Sequence, residues 1–186
     1  LFTTTVGLIY QGQSGSPYSL VYSGDINGDN GPGNDLIFIP TDAQVDQMQF
    51  LGTDAYTADQ QRANLKQWLA TTRYVKDHRG EYFERYGDNL PFESHFDFHF
   101  GQKFGIRTGK YVHALELTLD IMNVANLLNK DWGRTFSSGY NSEIISPITY
   151  KGDGVFQFAN PSDMPLKYPS SYYSRWRGQI GLKYTF

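Results

Sequence analysis

The sequence predicts an all-β fold, and three observations carry that prediction. Among 186 residues, 14 Tyr, 13 Phe and 3 Trp make 16% of the chain aromatic, and 19 Gly accompany them. That composition suits strands and tight turns better than helices. Period-two alternation recurs along the chain, and the connections between alternating runs are very unequal, one short and two long.

The first candidate strand lies near residues 2 to 12, where Val6, Leu8 and Tyr10 share a face with Thr4 and Ile9 interrupts the alternation. A long segment follows, roughly residues 13 to 91. It opens with QSGSPYS and reaches DINGDNGPGNDL, residues 25 to 36, where Asp25, Asn27 and Asp29 alternate as the first three oxygen ligands of an EF-hand calcium loop do. The sixth loop position is Asn30 instead of Gly and the twelfth is Leu36 instead of Glu, which leaves Asp35 as a late carboxylate. Two readings stay open: a calcium site on Asp25, Asn27, Asp29 and Asp35, or a surface loop of turn formers, which is favoured because Asn, Asp, Gly and Pro each promote turns. After DLIFIP, Thr57 and Gln60 have capping-box spacing, and Leu65, Trp68, Leu69, Thr72 and Val75 follow at helical steps. One surface helix over residues 58 to 79 is expected.

The clearest strand covers residues 92 to 104, with Phe96, Phe98 and Phe100 alternating with Asp97 and His99. A turn is expected at residues 105 to 112. The next strand, over residues 113 to 128, puts Leu115, Leu117, Leu119 and Ile121 on one side and Glu116, Thr118 and Asp120 on the other. Residues 130 to 174, rich in Gly, Ser, Asn, Pro and Tyr, read as a long loop. The last strand, residues 175 to 186, carries Trp176, Ile180, Leu182, Tyr184 and Phe186 in one register and Arg177, Gln179, Lys183 and Thr185 in the other. An up-down order then places both long connections on one side of the sheet and the short turn on the other, the sidedness of an outer-membrane β-barrel.

Composition excludes several functions. Without Cys the chain has no disulfide, thiolate metal site or Cys nucleophile, and a formal charge of −3 offers no basic field to nucleic acid. No apolar run reaches the length of a membrane helix, a test that does not register barrel strands. No nucleophile elbow, P-loop or dinucleotide fingerprint occurs, so no enzyme is expected. His95, His99 and His113 invite a metal reading, but their spacing matches no metal motif, and a polar barrel wall accounts for them better. His99 shares the side of Asp97, with Asp120 or Glu116 as cross-strand partners. Arg79, Arg85, Arg175 and Arg177 suit pairing with carboxylates or snorkelling better than anion binding. Tyr168, Tyr172, Tyr173 and Trp176 read as an interfacial aromatic girdle ahead of a sugar-stacking platform.

Taken in order, GQSGSPYS, GDINGDNGPGNDLIFIP, YVKDHRGEYFERYGDNLPFESHFDFHFGQKF, LDIMNVANLLNKDWGR and the terminal GLKYTF resemble the C-terminal part of a TonB-dependent outer-membrane transporter of the Oar-like and SusC-like branch. The resemblance implies the C-terminal antiparallel strands of a large transmembrane β-barrel with long extracellular loops, one containing a helix. Residues 1–186 would supply about four strands of such a barrel, which in this family has about twenty-two and a plug. Four strands cannot close, so the remaining strands and plug must come from the same or another polypeptide. The implied function is TonB-coupled uptake of a nutrient ligand at the outer membrane of a Gram-negative bacterium. The implied partners are the TonB complex acting through the plug, a surface lipoprotein, membrane lipid and the barrel-assembly machinery, the last reading Trp176, Ile180, Leu182, Tyr184 and Phe186. Asp97, His99, Glu116 and Asp120 would face the lumen. The rival reading is an extracellular, calcium-stabilised β-sandwich that binds carbohydrate or protein.

Overall fold

The computed structural model describes residues 2–138, 140–160 and 168–186. In chain order the elements are β1 (Phe2–Gln13), β2 (Pro17–Ser23), β3 (Phe38–Ile39), α1 (Asp42–Gln47), β4 (Gln49–Phe50), α2 (Ala58–Thr71), α3 (Arg73–Asp77), β5 (Glu81–Tyr82) and β6 (Asp88–Asn89). They continue with β7 (Glu93–Thr108), β8 (Tyr111–Met122), α4 (Val124–Leu128), β9 (Phe136–Ser137), β10 (Glu143–Gly152), β11 (Val155–Phe158), β12 (Tyr168–Pro169) and β13 (Arg177–Thr185). Strand predominates, as composition predicts. The chain divides into unit 1, Leu1–Gly15 with Pro91–Phe136 and Pro169–Phe186, and unit 2, Ser16–Leu90 with Ser137–Tyr168.

Unit 1 is an antiparallel sheet in the order β1-β7-β8-β13, the four strands in the order the alternation predicts. Val6, Leu8 and Tyr10 pair with Phe100, Phe98 and Phe96, while Phe100 and Phe98 pair with Leu119 and Ile121. Ile180 and Leu182 pair with Leu119 and Leu117. Because side chains alternate, these residues share one face.

Two boundaries in unit 1 differ from the sequence expectation. The ladder runs on to Thr108↔Tyr111, so the turn is Gly109-Lys110 and not residues 105 to 112. Gly109, at φ 63, takes the first central position of a two-residue hairpin turn, whereas Gly105 pairs with Ala114 inside the ladder. The strand expected to reach residue 128 stops at Met122. Asn123 is left-handed at φ 54 and starts α4, a conformation Asn tolerates better than other non-glycine residues.

Within the loop expected over residues 130 to 174, Ser137–Tyr168 belongs to unit 2 and supplies strands there, apart from residues 139 and 161–167, which lie outside the described residues. Strand β10 pairs antiparallel with β11 and parallel with β2, and β11 pairs parallel with β4. The five-stranded sheet has the order β4-β11-β10-β2-β6. Pro147, which cannot donate to a ladder, falls where the β10–β2 register slips, and Ser146 Oγ accepts from the Ile148 N–H there. Tyr18, Leu20, Ile37, Ile39, Leu65, Leu69 and Ile148 form the core, each at most 1% exposed.

Helix α2 starts where the sequence places it, with Thr57 and Gln60 closing the capping box. It buries Leu65, Trp68 and Leu69, and the Trp68 ring lies 6.0 Å from that of Phe158. The single helix expected to residue 79 is instead two. Thr72 is extended at ψ 121, and α3 restarts at Arg73 with Val75 buried. Thr71 Oγ1 donates back to the Gln67 carbonyl at 2.9 Å, a bond that weakens a helix end. Gln61 is buried without an apolar role: Nε2 donates to Leu51 O at 2.8 Å and Oε1 accepts from the Phe158 N–H at 2.8 Å, which ties α2 to β11.

Candidate functional site

The two faces of the unit 1 sheet differ in chemistry. Asp97, His99, Glu116 and Asp120 share one face, with Gln179 and Lys183 across from Asp120 and Glu116. His99 Nδ1 lies 2.6 Å from Asp120 Oδ1, and Glu116 stands in register between Lys103 and Lys183, an alternation of charge that favours the pairing. His95 contacts Thr135 Oγ1 at 3.2 Å, while His113 occupies the opposite face and contacts the Tyr184 hydroxyl at 2.8 Å. The three histidines are therefore not gathered.

The other face is apolar and uncovered in this chain. Val6, Leu8, Ile106, Ile180 and Leu182 are all more than 60% exposed. Its few polar groups bond among themselves: Thr4 Oγ1 donates to Gln102 Oε1 at 2.7 Å, and Gln102 Nε2 donates to Thr3 O at 3.0 Å. That self-satisfaction is what polar side chains need where no water is available. Ile180, Leu182 and Tyr184 carry the face onto β13, and Trp176 and Phe186 flank that strand.

A polar knot that the alternation did not reveal organises one end of the sheet. Asn123 is 4% exposed; its N–H donates to Asp97 Oδ1 at 2.8 Å, and Nδ2 donates to Gly133 O at 2.8 Å and Ser174 O at 3.1 Å. Asn126 Oδ1 accepts from the Trp176 N–H at 3.3 Å, so the segment after β8 and the segment before β13 are bound together. Tyr172, Tyr173 and Trp176 are exposed at this end, and the Arg177 guanidinium lies 5.1 Å from the Tyr172 ring centre. The Tyr168 side chain of the expected girdle lies outside the described residues. Arg79 pairs with Asp42 at 2.6 Å, and Arg85 lies over the Tyr86 ring.

In the Asp/Asn loop the carboxylates serve the backbone. Asp25 Oδ1 accepts from the Gly28 N–H at 2.7 Å and Oδ2 from the Asn30 N–H at 2.9 Å; Asp29 Oδ1 accepts from Gly31, and Asp35 Oδ2 from Ile26. The Gly31 N–H bond, with the Asn27 and Asn34 amides, holds the Asp29 carboxyl below the usual range. Among the described residues no three His, Asp or Glu side chains converge as a metal-holding group. Asp25→Ala is expected to lower unit 2 stability in urea titrations by about 1–2 kcal/mol, as loss of a capping carboxylate does, and Asp25→Asn by less.

Among the described residues the most buried charge is Asp88, 5% exposed, on β6. It accepts from the Tyr18 hydroxyl at 2.8 Å and from Arg73 at 2.5 Å. Burial pushes its carboxyl up, but the bonds from Arg73, Tyr18 and the Asn89 N–H prevail and hold it below the usual range. Burial and the Asp88 bond push the Tyr18 hydroxyl well up. The signs set a stability window. Asp88, depressed on folding, contributes above about pH 4 and loses its contribution as pH falls through its lower folded value; Tyr18, raised on folding, contributes below about pH 10 and loses it as pH rises beyond. Asp88→Ala removes the acceptor of both the buried Tyr18 hydroxyl and the Arg73 guanidinium and is expected to cost about 2 kcal/mol and to flatten the acid limb of a pH–stability profile.

No protein-family model, curated protein or solved structure matches the chain.

Proposed function

We propose that unit 1 is part of the wall of an outer-membrane transport barrel, completed by further strands and a plug and coupled to TonB for uptake of a nutrient ligand. The observation that carries this reading is the height and grading of the apolar face. From Phe96 to Ile106 on β7 the face rises about 33 Å along the strand at about 3.3 Å per residue. At a barrel tilt of about 40° that is about 25 Å, the height of a lipid-facing band. Phe2, Phe104, Tyr111 and Tyr184 stand toward the hairpin end and Trp132, Tyr172 and Trp176 at the other, while the middle of the face is carried by Val6, Leu8, Phe98, Phe100, Leu117, Leu119, Ile180 and Leu182 around the Thr4–Gln102 pair. On this reading Asp97, His99, Glu116 and Asp120 line the lumen, both long connections are extracellular, and the β13 edge with Trp176, Ile180, Leu182, Tyr184 and Phe186 is what the assembly machinery recognises. The sheet's two free edges supply the reason for partners, since unpaired ladder groups cannot remain in hydrocarbon.

Fractionation of the native polypeptide tests the reading. It should remain in the outer-membrane pellet after alkaline washing and require detergent for release. A compact, detergent-free monomer in the soluble fraction would reject the barrel and favour the sandwich.

A further inference from the structure

A cleft of about 430 Å³ lies where β7 begins, lined by Phe92, Phe96, Trp132 and Phe136 with the Asp131–Arg134 ion pair. Phe96 belongs to the same register as Phe98 and Phe100, so the cleft continues the apolar face. Trp132 is 54% and the neighbouring Leu128 75% exposed, an apolar surface far larger than this short stretch needs for folding. The charge here runs against that of the whole chain. Residues 123–136 and 169–177 carry Lys130, Arg134, Arg175 and Arg177 against the carboxylate of Asp131, in a protein of net charge −3. Counting Glu93 and Asp97 on β7 as well, the four cations still exceed the three carboxylates, and these two acids are held by other segments, Glu93 accepting from Gln13 and the Phe136 N–H and Asp97 from the Asn123 N–H.

We infer that this rim cleft binds the anionic, phosphate-bearing headgroup of a membrane lipid whose acyl chains lie along the Phe and Leu face, an inference that rests on the barrel-wall reading. Cations and Trp at the end of an apolar band match the two halves of such a molecule. A planar guanidinium offers a phosphate two parallel donors, which makes Arg134 the principal contact and Lys130 a supporting charge. Asp131 competes with the phosphate for Arg134.

The test uses the full native polypeptide in maltoside micelles doped with equal phosphatidylglycerol and phosphatidylcholine, with retained lipid counted by native mass spectrometry. The wild type should retain phosphatidylglycerol preferentially, and Lys130→Gln with Arg134→Gln should reduce that preference by about fivefold for each cation removed. Asp131→Asn should increase it, a gain that misfolding would not produce, and Lys183→Gln on the polar face should leave it unchanged. An unchanged preference in the double variant, or none in the wild type, overturns the inference while a membrane-resident protein keeps the barrel reading. Recovery as a soluble protein overturns the barrel reading itself.

Discussion

Gly133→Ala is expected to cost about 3–5 kcal/mol and to release the segment between β8 and β13. Gly133 has φ 60, and a Cβ built on it would lie 1.9 Å from Asn123 Oδ1 and 2.7 Å from Asn123 Cγ. The left-handed backbone alone costs an alanine about 1–2 kcal/mol. The clash costs more, because the amide cannot simply turn aside: Nδ2 is committed to two buried carbonyls, Gly133 O and Ser174 O. Displacing it forfeits both bonds at about 1–1.5 kcal/mol each. Asn123 Oδ1 has no hydrogen-bond donor and meets the Gly133 Cα side, so a weak C–H contact is what the glycine supplies. Gly109→Ala is the internal control. Its φ is 63 but nothing lies within 4 Å of the added Cβ, so only the backbone cost should appear. Thermal denaturation of the two variants, with limited proteolysis after Lys130 or Arg134, separates the outcomes; equal losses would mean that the knot contributes nothing beyond backbone strain.

On the barrel-wall proposal, Leu117→Arg should lower the stability of the protein in the membrane by about 2–4 kcal/mol, because it would place a cation near the middle of the apolar band. Leu117 pairs with Gln102 and Leu182 and is 42% exposed; the Gln102 amide beside it is neutral and already bonded to Thr4 Oγ1 and Thr3 O, so no counter-charge stands ready. Ile106→Arg, on the same face but next to the hairpin turn, should cost only about 0–1 kcal/mol, since the side chain can snorkel to the interface. Glu116→Gln should be mild. It removes one charge from the polar row between Lys103 and Lys183, which water can screen. The comparison is decisive because a lipid-facing surface grades the penalty with depth. Equal costs at Leu117 and Ile106 would point to a uniform protein partner against this face.

The strand and helix signals that could be read directly are those in which a residue's neighbours along the chain decide its conformation. Phe96, Phe98 and Phe100 against Asp97 and His99 announce a two-faced strand, and Thr57 with Gln60 announces a helix start. Strand β2 escaped because it is buried almost throughout, from Tyr18 to Tyr22, and so shows no alternation. Strand β10 escaped because Ser146, Pro147 and Ile148 are buried in succession, which breaks the alternation, and because Pro147 marks it as a breaker. Of the candidate site residues, His99 and Asp120 were legible as cross-strand partners. Asn123, Gly133 and Ser174 were not, since nothing local distinguishes a buried amide that ties three segments from a surface turn.

By itself the sequence determined the antiparallel sheet of unit 1, its strand order and its unlike faces, because period-two patterning and a hairpin act within a few residues of one another, whereas the ladder's extension to Thr108↔Tyr111 did not show. Only the tertiary structure decided unit 2. There Leu20 pairs in parallel with Ile144, and Gln61 reaches Phe158. Such contacts join segments separated by about half of the chain or more, and in β2 they bury both faces, which erases the alternation by which a strand is read.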